Sequence, residues 1–162
     1  MLVFEKTFPL VVPKKYVHDT QLDSFRRKHS REFFLYNDAI TDENFCRVTD
    51  PLRPGQKLEV KLFGVCERTR VFPSEARALL RKENALLVGA QGVSLVYELA
   101  KEEIPYGRWA ISFDKKLALW KDPEGNCRFP GIGHVDIGYG FDLGYDGWPF
   151  NCGRCVLCFR AA

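Results

Sequence analysis

No apolar run in this chain approaches the ~20 residues of a membrane-spanning helix, and no internal repeat or low-complexity segment interrupts it. Methionine occurs once. No Asn-x-Ser/Thr sequon occurs, and the opening "MLVFEKTFPLVVPKK" has neither a basic region ahead of its apolar residues nor a small-residue cleavage site. It reads as a strand and not as a signal peptide. Net charge is only +3, too small by itself to imply a polyanion partner. With no export signal, six cysteines are expected to be reduced thiols in a cytoplasmic protein.

Signatures of catalysis are also missing. There is no G-x-S-x-G elbow, no H-E-x-x-H helix and no kinase motif. "LLVGAQG" lacks both the dinucleotide-binding spacing and the Lys-Ser/Thr of a P-loop, so its glycines are expected to serve a tight turn or close packing. "DLGYDG" fails as a calcium loop, because Gly144 stands at the third position and Gly153 at the twelfth, where a bidentate Glu is needed. The sequence therefore leans away from an enzyme.

What is present is aromatic: 13 Phe, 6 Tyr and 3 Trp in 162 residues, a composition that favours ring-packed cores and strands. Alternation in "KLEVKLFGV" puts Leu58, Val60 and Leu62 on one face and Lys57, Glu59 and Lys61 on the other, as in a half-buried strand. A short helix is expected from Asp19 or Thr20 to about Lys28, followed by a strand at "EFFLYN". Ser74 after Pro73 is placed to cap a helix carrying Ala76, Leu79 and Leu80, and a second helix follows Gly92 and stops at Pro105. Further strands are expected at 106–113, 116–121, 134–143 and 155–159, with a turn at "DPEGN".

The expectation is a single α+β domain over residues 1–162: a mostly antiparallel, aromatic-rich sheet with two or three helices packed on one face. A basic part covers 1–72, a helical middle 73–105 and a β part 106–160.

The sharpest chemical feature is the tail "NCGRCVLCFRAA", with Cys152, Cys155 and Cys158 evenly spaced. Cys152-Gly-Arg-Cys155 is similar to the CGxC of thioredoxin-type oxidoreductases, but that motif opens a helix with more sheet beyond it, and here seven residues remain. The C-x2-C-x2-C run resembles that of bacterial ferredoxins without their fourth cysteine and proline. Structural zinc needs four N/S ligands, and the candidates are Cys127, Cys152, Cys155, Cys158 and His134. The alternative is packing: in "CVLCF", Cys155, Leu157 and Phe159 share one face and Val156 and Cys158 the other, both apolar. On that reading there is no cofactor.

Two surfaces remain. In "HVDIGYGFDL" ten residues alternate strictly, and one strand there would place His134, Asp136, Gly138, Gly140 and Asp142 along one sparse face, a floor for a ligand, a metal or a partner. In "RRKHSR", Arg26, Arg27, Lys28 and Arg31 form a basic patch, with Phe25, Phe33, Phe34 and Tyr36 interleaved as possible base-stacking rings. The favoured function is a non-catalytic interaction or regulatory module whose partner is another protein. The alternatives are a zinc protein or enzyme centred on the cysteines and His134/Asp136, and nucleic-acid binding by the basic half. A homodimer is compatible with so many aromatics; a membrane partner is not expected.

Overall fold

Strands and helices alternate irregularly along the chain, and the strands all join one sheet. A computed structural model describes all residues, 1–162. The strands are β1 (Leu2–Val11), β2 (Phe33–Tyr36), β3 (Lys57–Val65), β4 (Arg108–Ile111), β5 (Trp120–Lys121), β6 (Cys127–Val135), β7 (Gly138–Tyr145) and β8 (Arg154–Ala161). The helices are α1 (Gln21–His29), α2 (Pro73–Lys82) and α3 (Gly89–Ala100). Spatial order across the sheet is β1-β3-β8-β4-β6-β7-β2, with β5 beside β6. Two contacts are parallel, β4 with β8 and β2 with β7; the others are antiparallel. The fold is α+β with a mixed sheet. No helix is long and apolar enough to cross a membrane.

β8 shows why the sheet is covered on both sides. Its Cys155, Leu157 and Phe159 enter a core shared with α1 and α3, while Val156 and Cys158 enter a second core shared with α2. A central strand apolar on both faces must bury both. The expected placement of all helices on one face is corrected accordingly: α2 lies opposite α1 and α3.

Local chemistry fixes the helix ends. The Asp42 carboxylate, from a distant loop, accepts from the backbone N–H groups of Leu22 (2.9 Å) and Asp23 (3.0 Å) and caps α1. α2 begins with Pro73 at its first position, where a missing N–H costs nothing. Glu75 Oε2 accepts from the Phe72 N–H at 2.8 Å, so Phe72, not Ser74, is the cap residue. α3 starts three residues earlier than the sequence suggested, at Gly89, whose φ of +59° suits glycine. A Cβ on Gly92 would lie 3.2 Å from Phe159 Cζ, so this glycine lets α3 settle close onto β8.

The expected single strand at 134–143 is instead a hairpin. β6 ends at Val135, Asp136 and Ile137 form the turn, and β7 starts at Gly138 with φ +120°. Val135 pairs with Gly138, so the pleat continues across the turn but the parity of the sequence inverts. Tyr139 and Phe141 face the α3 side, whereas Ile137 is 73% exposed at the tip. Residues 116–118 form a 3₁₀ turn, leaving only Trp120–Lys121 as strand. The first strand runs unbroken through Pro9, which an edge strand tolerates.

Candidate functional site

On the α2 face, beyond the reach of that helix, β6 and β7 carry few side chains of their own, and β4 lays Trp109 and Ile111 over them. Gly131 and Gly133 on β6 face Asp142 and Gly140 on β7, and Gly144 faces Phe129. Each glycine seats a large neighbour. A Cβ on Gly133 would fall 2.5 Å from Cδ2 and Cε2 of Trp109, and one on Gly140 would fall 2.6 Å from Trp109 Cη2 and 3.2 Å from Phe34 Cζ. The Trp109 indole therefore lies across two bare strands, with its outer face turned away from the sheet.

Arg154 stands beside it. β4 and β8 run parallel with Trp109 paired to Arg154, so both side chains project from the same face. The Arg154 guanidinium is partly buried and has no hydrogen-bonded acceptor. Burial lowers its pKa from the usual arginine value, and only the charge of Asp142 acts in the opposite sense. The guanidinium nitrogens stay within reach of water, so an anion arriving there would replace water without having to displace a protein acceptor.

Two hollows meet at this pair. One, of about 660 Å³, is lined by Arg70, Trp148, Pro149 and Asn151 in addition to Trp109 and Arg154. The other, of about 250 Å³, runs over Ile111, Gly131, Asp142 and Gly144. Val71 and Phe150 exchange both backbone hydrogen bonds at 2.9 Å, which ties the loop bearing Arg70 to the loop bearing Trp148. Trp148 is 69% exposed, its ring edge-on to Tyr145. Asp142, in the floor, accepts from Asn37 Nδ2 at 2.8 Å. The groove thus offers flat apolar faces and two arginines, one of them with no hydrogen-bonded protein acceptor and only the more distant Asp142 charge beside it, and no paired acid and base.

The residues singled out from sequence distribute as follows. Gly140 and Asp142 line this groove, but His134 does not. The hairpin puts it on the opposite face, stacked on Tyr139 with centroids 4.3 Å apart and planes at 15°. Asp136 lies in the turn and accepts from the Tyr106 hydroxyl, and Gly138 supplies the positive φ of the turn exit. His134 and Asp136 therefore do not form a base with its orienter.

The cysteines are also dispersed. Cys155 and Cys158 are buried on opposite faces of β8. Burial pushes the Cys155 thiol up to about 12 and the Cys158 thiol up to about 11. Cys127 and His134 sit at opposite ends of β6, about 23 Å apart by strand rise and on opposite faces. Cys152 is exposed ahead of β8. Nowhere do three His, Cys, Asp or Glu side chains gather at metal-binding range.

Within the basic patch, Arg26 is tied to Asp38 at 2.6 Å and lies over the Tyr36 ring. Arg27, Lys28 and Arg31 are exposed. Phe25 is fully buried, and Phe33 and Tyr36 pack against the same core. Of the four interleaved rings only Phe34, 42% exposed, is free to meet a partner, and it does so on the glycine face.

Sequence reasoning missed Trp109, Trp148, Arg70 and Arg154 as a group. The available signal was the pair of i, i+2 glycines in each of two neighbouring segments, 131/133 and 138/140. Two bare rows on adjacent strands imply that something flat lies over them. No protein-family model matches this chain, and neither a curated protein nor a solved structure matches it.

Proposed function

We propose that the protein is a non-catalytic recognition module whose Trp109–Arg154 groove binds an anionic ligand with a flat face. The observation that carries this reading is the Arg154 guanidinium, partly buried with no protein acceptor, directly beside an indole fixed on a glycine floor. An anion would accept the hydrogen bonds that no protein group takes from the guanidinium, and a planar group would stack on Trp109 or Trp148. The groove brings together no nucleophile with a base and no general acid–base pair, which supports binding over turnover. The six free thiols support placing the module in a reducing, cytoplasmic compartment.

The test is calorimetric titration of the protein and of Arg154→Met with a panel of mononucleotides, sugar phosphates and aromatic carboxylates. One ring-bearing anion class is expected to bind and to lose at least tenfold in affinity in the variant, and to be recovered chemically unchanged. Binding by none of the panel, or equal binding by the variant, rejects the reading.

A further inference from the structure

The groove does not end at its two hollows. Following backbone register outward from Arg154, the row on the same face runs through Trp109 on β4, Gly133 on β6 and Gly140 on β7 to the Phe34 ring from β2. Five strands separated by four inter-strand gaps make this row about 19 Å long. That is longer than one planar ligand needs. Rings lie on the floor at two places along it, Trp109 at the centre and Phe34 at the far edge, and Trp148 stands beside Arg154 at the near end. The indole itself covers the floor between them: its Cδ2 and Cε2 lie over Gly133 and its Cη2 over Gly140, where the Phe34 ring closes in from the other side, so the two rings form one continuous flat surface.

Charge is arranged to match. Arg154 and Arg70 lie at the near end. At the far end Arg31, exposed, lies two positions ahead of Phe33, where β2 begins. The carboxylate on this face, Asp142, sits one row away on the floor and is engaged by Asn37. Flat faces spaced along a groove with cations at its ends suit a polymer that repeats a planar ring and an anion. An acidic peptide would use the cations but leave the three rings without purpose.

Resting on the recognition reading above, we infer that the ligand is a segment of single-stranded nucleic acid laid across the sheet from Arg154 to Phe34. Its bases stack on Trp148, Trp109 and Phe34, and its phosphates meet Arg70, Arg154 and Arg31. Nothing along the row reads base edges in a fixed pattern, so binding tolerates different sequences.

The experiment compares eight-nucleotide oligo-U and oligo-dT with the corresponding mononucleotides, by anisotropy and by quenching of intrinsic tryptophan fluorescence. The oligonucleotides are expected to bind at least thirtyfold more tightly than the mononucleotides and to quench. With about three phosphate contacts, the slope of log affinity against log salt should be about −2. Phe34→Ala, outside the two hollows, should weaken oligonucleotide binding roughly 5- to 100-fold, the range for loss of one stacked base. It should leave mononucleotide binding unchanged, and Phe34→Leu, which keeps apolar bulk without the ring, should behave like the alanine variant. Equal affinity for monomer and oligomer, or oligonucleotide binding indifferent to Phe34, overturns the strand inference while leaving the recognition reading intact. Equal binding of heparin with the same salt slope overturns it as well. No nucleotide binding at all, together with failure of the wider anion panel, overturns both.

Discussion

Trp109 and Gly133 occupy each other's space: the indole fills the position where any other residue at 133 would carry its Cβ, 2.5 Å from two ring atoms. The two residues are also paired across β4 and β6. Glycine at 133 is therefore a steric requirement of the tryptophan's placement, and the flat floor of the groove follows from it. In Gly133→Ala the ring must lift or the strands must part. Overpacking of this kind costs about 1–3 kcal/mol, read as a lower urea midpoint, and the tryptophan emission should move to the red as the indole is displaced into water. An unchanged midpoint and spectrum would mean that the ring has another resting place.

Phe25 is a hub of the aromatic core. Phe25, on α1, is fully buried, with the rings of Phe33, Tyr36, Tyr97 and Phe141 at centroid distances of 5.9, 6.3, 5.7 and 5.7 Å. Phe25→Ala removes the ring on which α1, β2, α3 and β7 converge and should cost about 3–5 kcal/mol in denaturant unfolding. A loss under 1 kcal/mol would show that α1 is loosely attached.

Thiol accessibility follows from the same packing. Cys46 and Cys152 are exposed, whereas burial has pushed the Cys155 and Cys158 thiols up to about 12 and about 11. At pH 8 the native protein should label rapidly at Cys46 and Cys152, and at Cys155 and Cys158 only after denaturation. Mass mapping of the labelled peptides gives the answer. Rapid native labelling of Cys158 would contradict the burial of β8.

Lys61 on β3 donates to Glu83 Oε2 at 2.8 Å. That hydrogen bond holds the Glu83 carboxyl below the usual glutamate value against a smaller opposing effect of burial, with Arg160 adding to the pull. Because the folded-state pKa is depressed, the contribution is present above the unfolded-state pKa and disappears as pH falls through the folded one. Glu83→Gln should therefore be less stable than the parent at pH 7, with the difference shrinking and then vanishing as pH falls below the ordinary glutamate range. A difference that persists at low pH would assign the effect to packing.

These relationships were unequally legible in the sequence. The alternation of "CVLCF" foretold which side of β8 each cysteine and leucine takes, because both faces are apolar and the pleat leaves no freedom. The turn at "DPEGN" was equally readable, since Asp122 accepts from the N–H groups of Glu124 and Asn126 at 3.0 and 2.8 Å. The hairpin in "HVDIGYGFDL" was hidden by its own regularity: a two-residue turn preserves alternation while exchanging faces, so His134 and Gly140 read as neighbours and lie on opposite sides. The groove was hidden for a different reason. Trp109 and Arg154 are 45 positions apart and meet only through a parallel pairing of β4 with β8, and no local pattern announces a parallel neighbour inside a mostly antiparallel sheet.

The central claim is that Arg154 is kept for a ligand and not for the fold, and stability and binding measured together on Arg154→Met test it most directly. The variant retains most of the apolar stem and removes a partly desolvated cation that has no acceptor. The account predicts an unfolding midpoint equal to or above that of the parent, together with loss of anion binding. A fall in stability of more than about 2 kcal/mol, of the kind that follows breaking a buried pair, with binding unaltered, would contradict it.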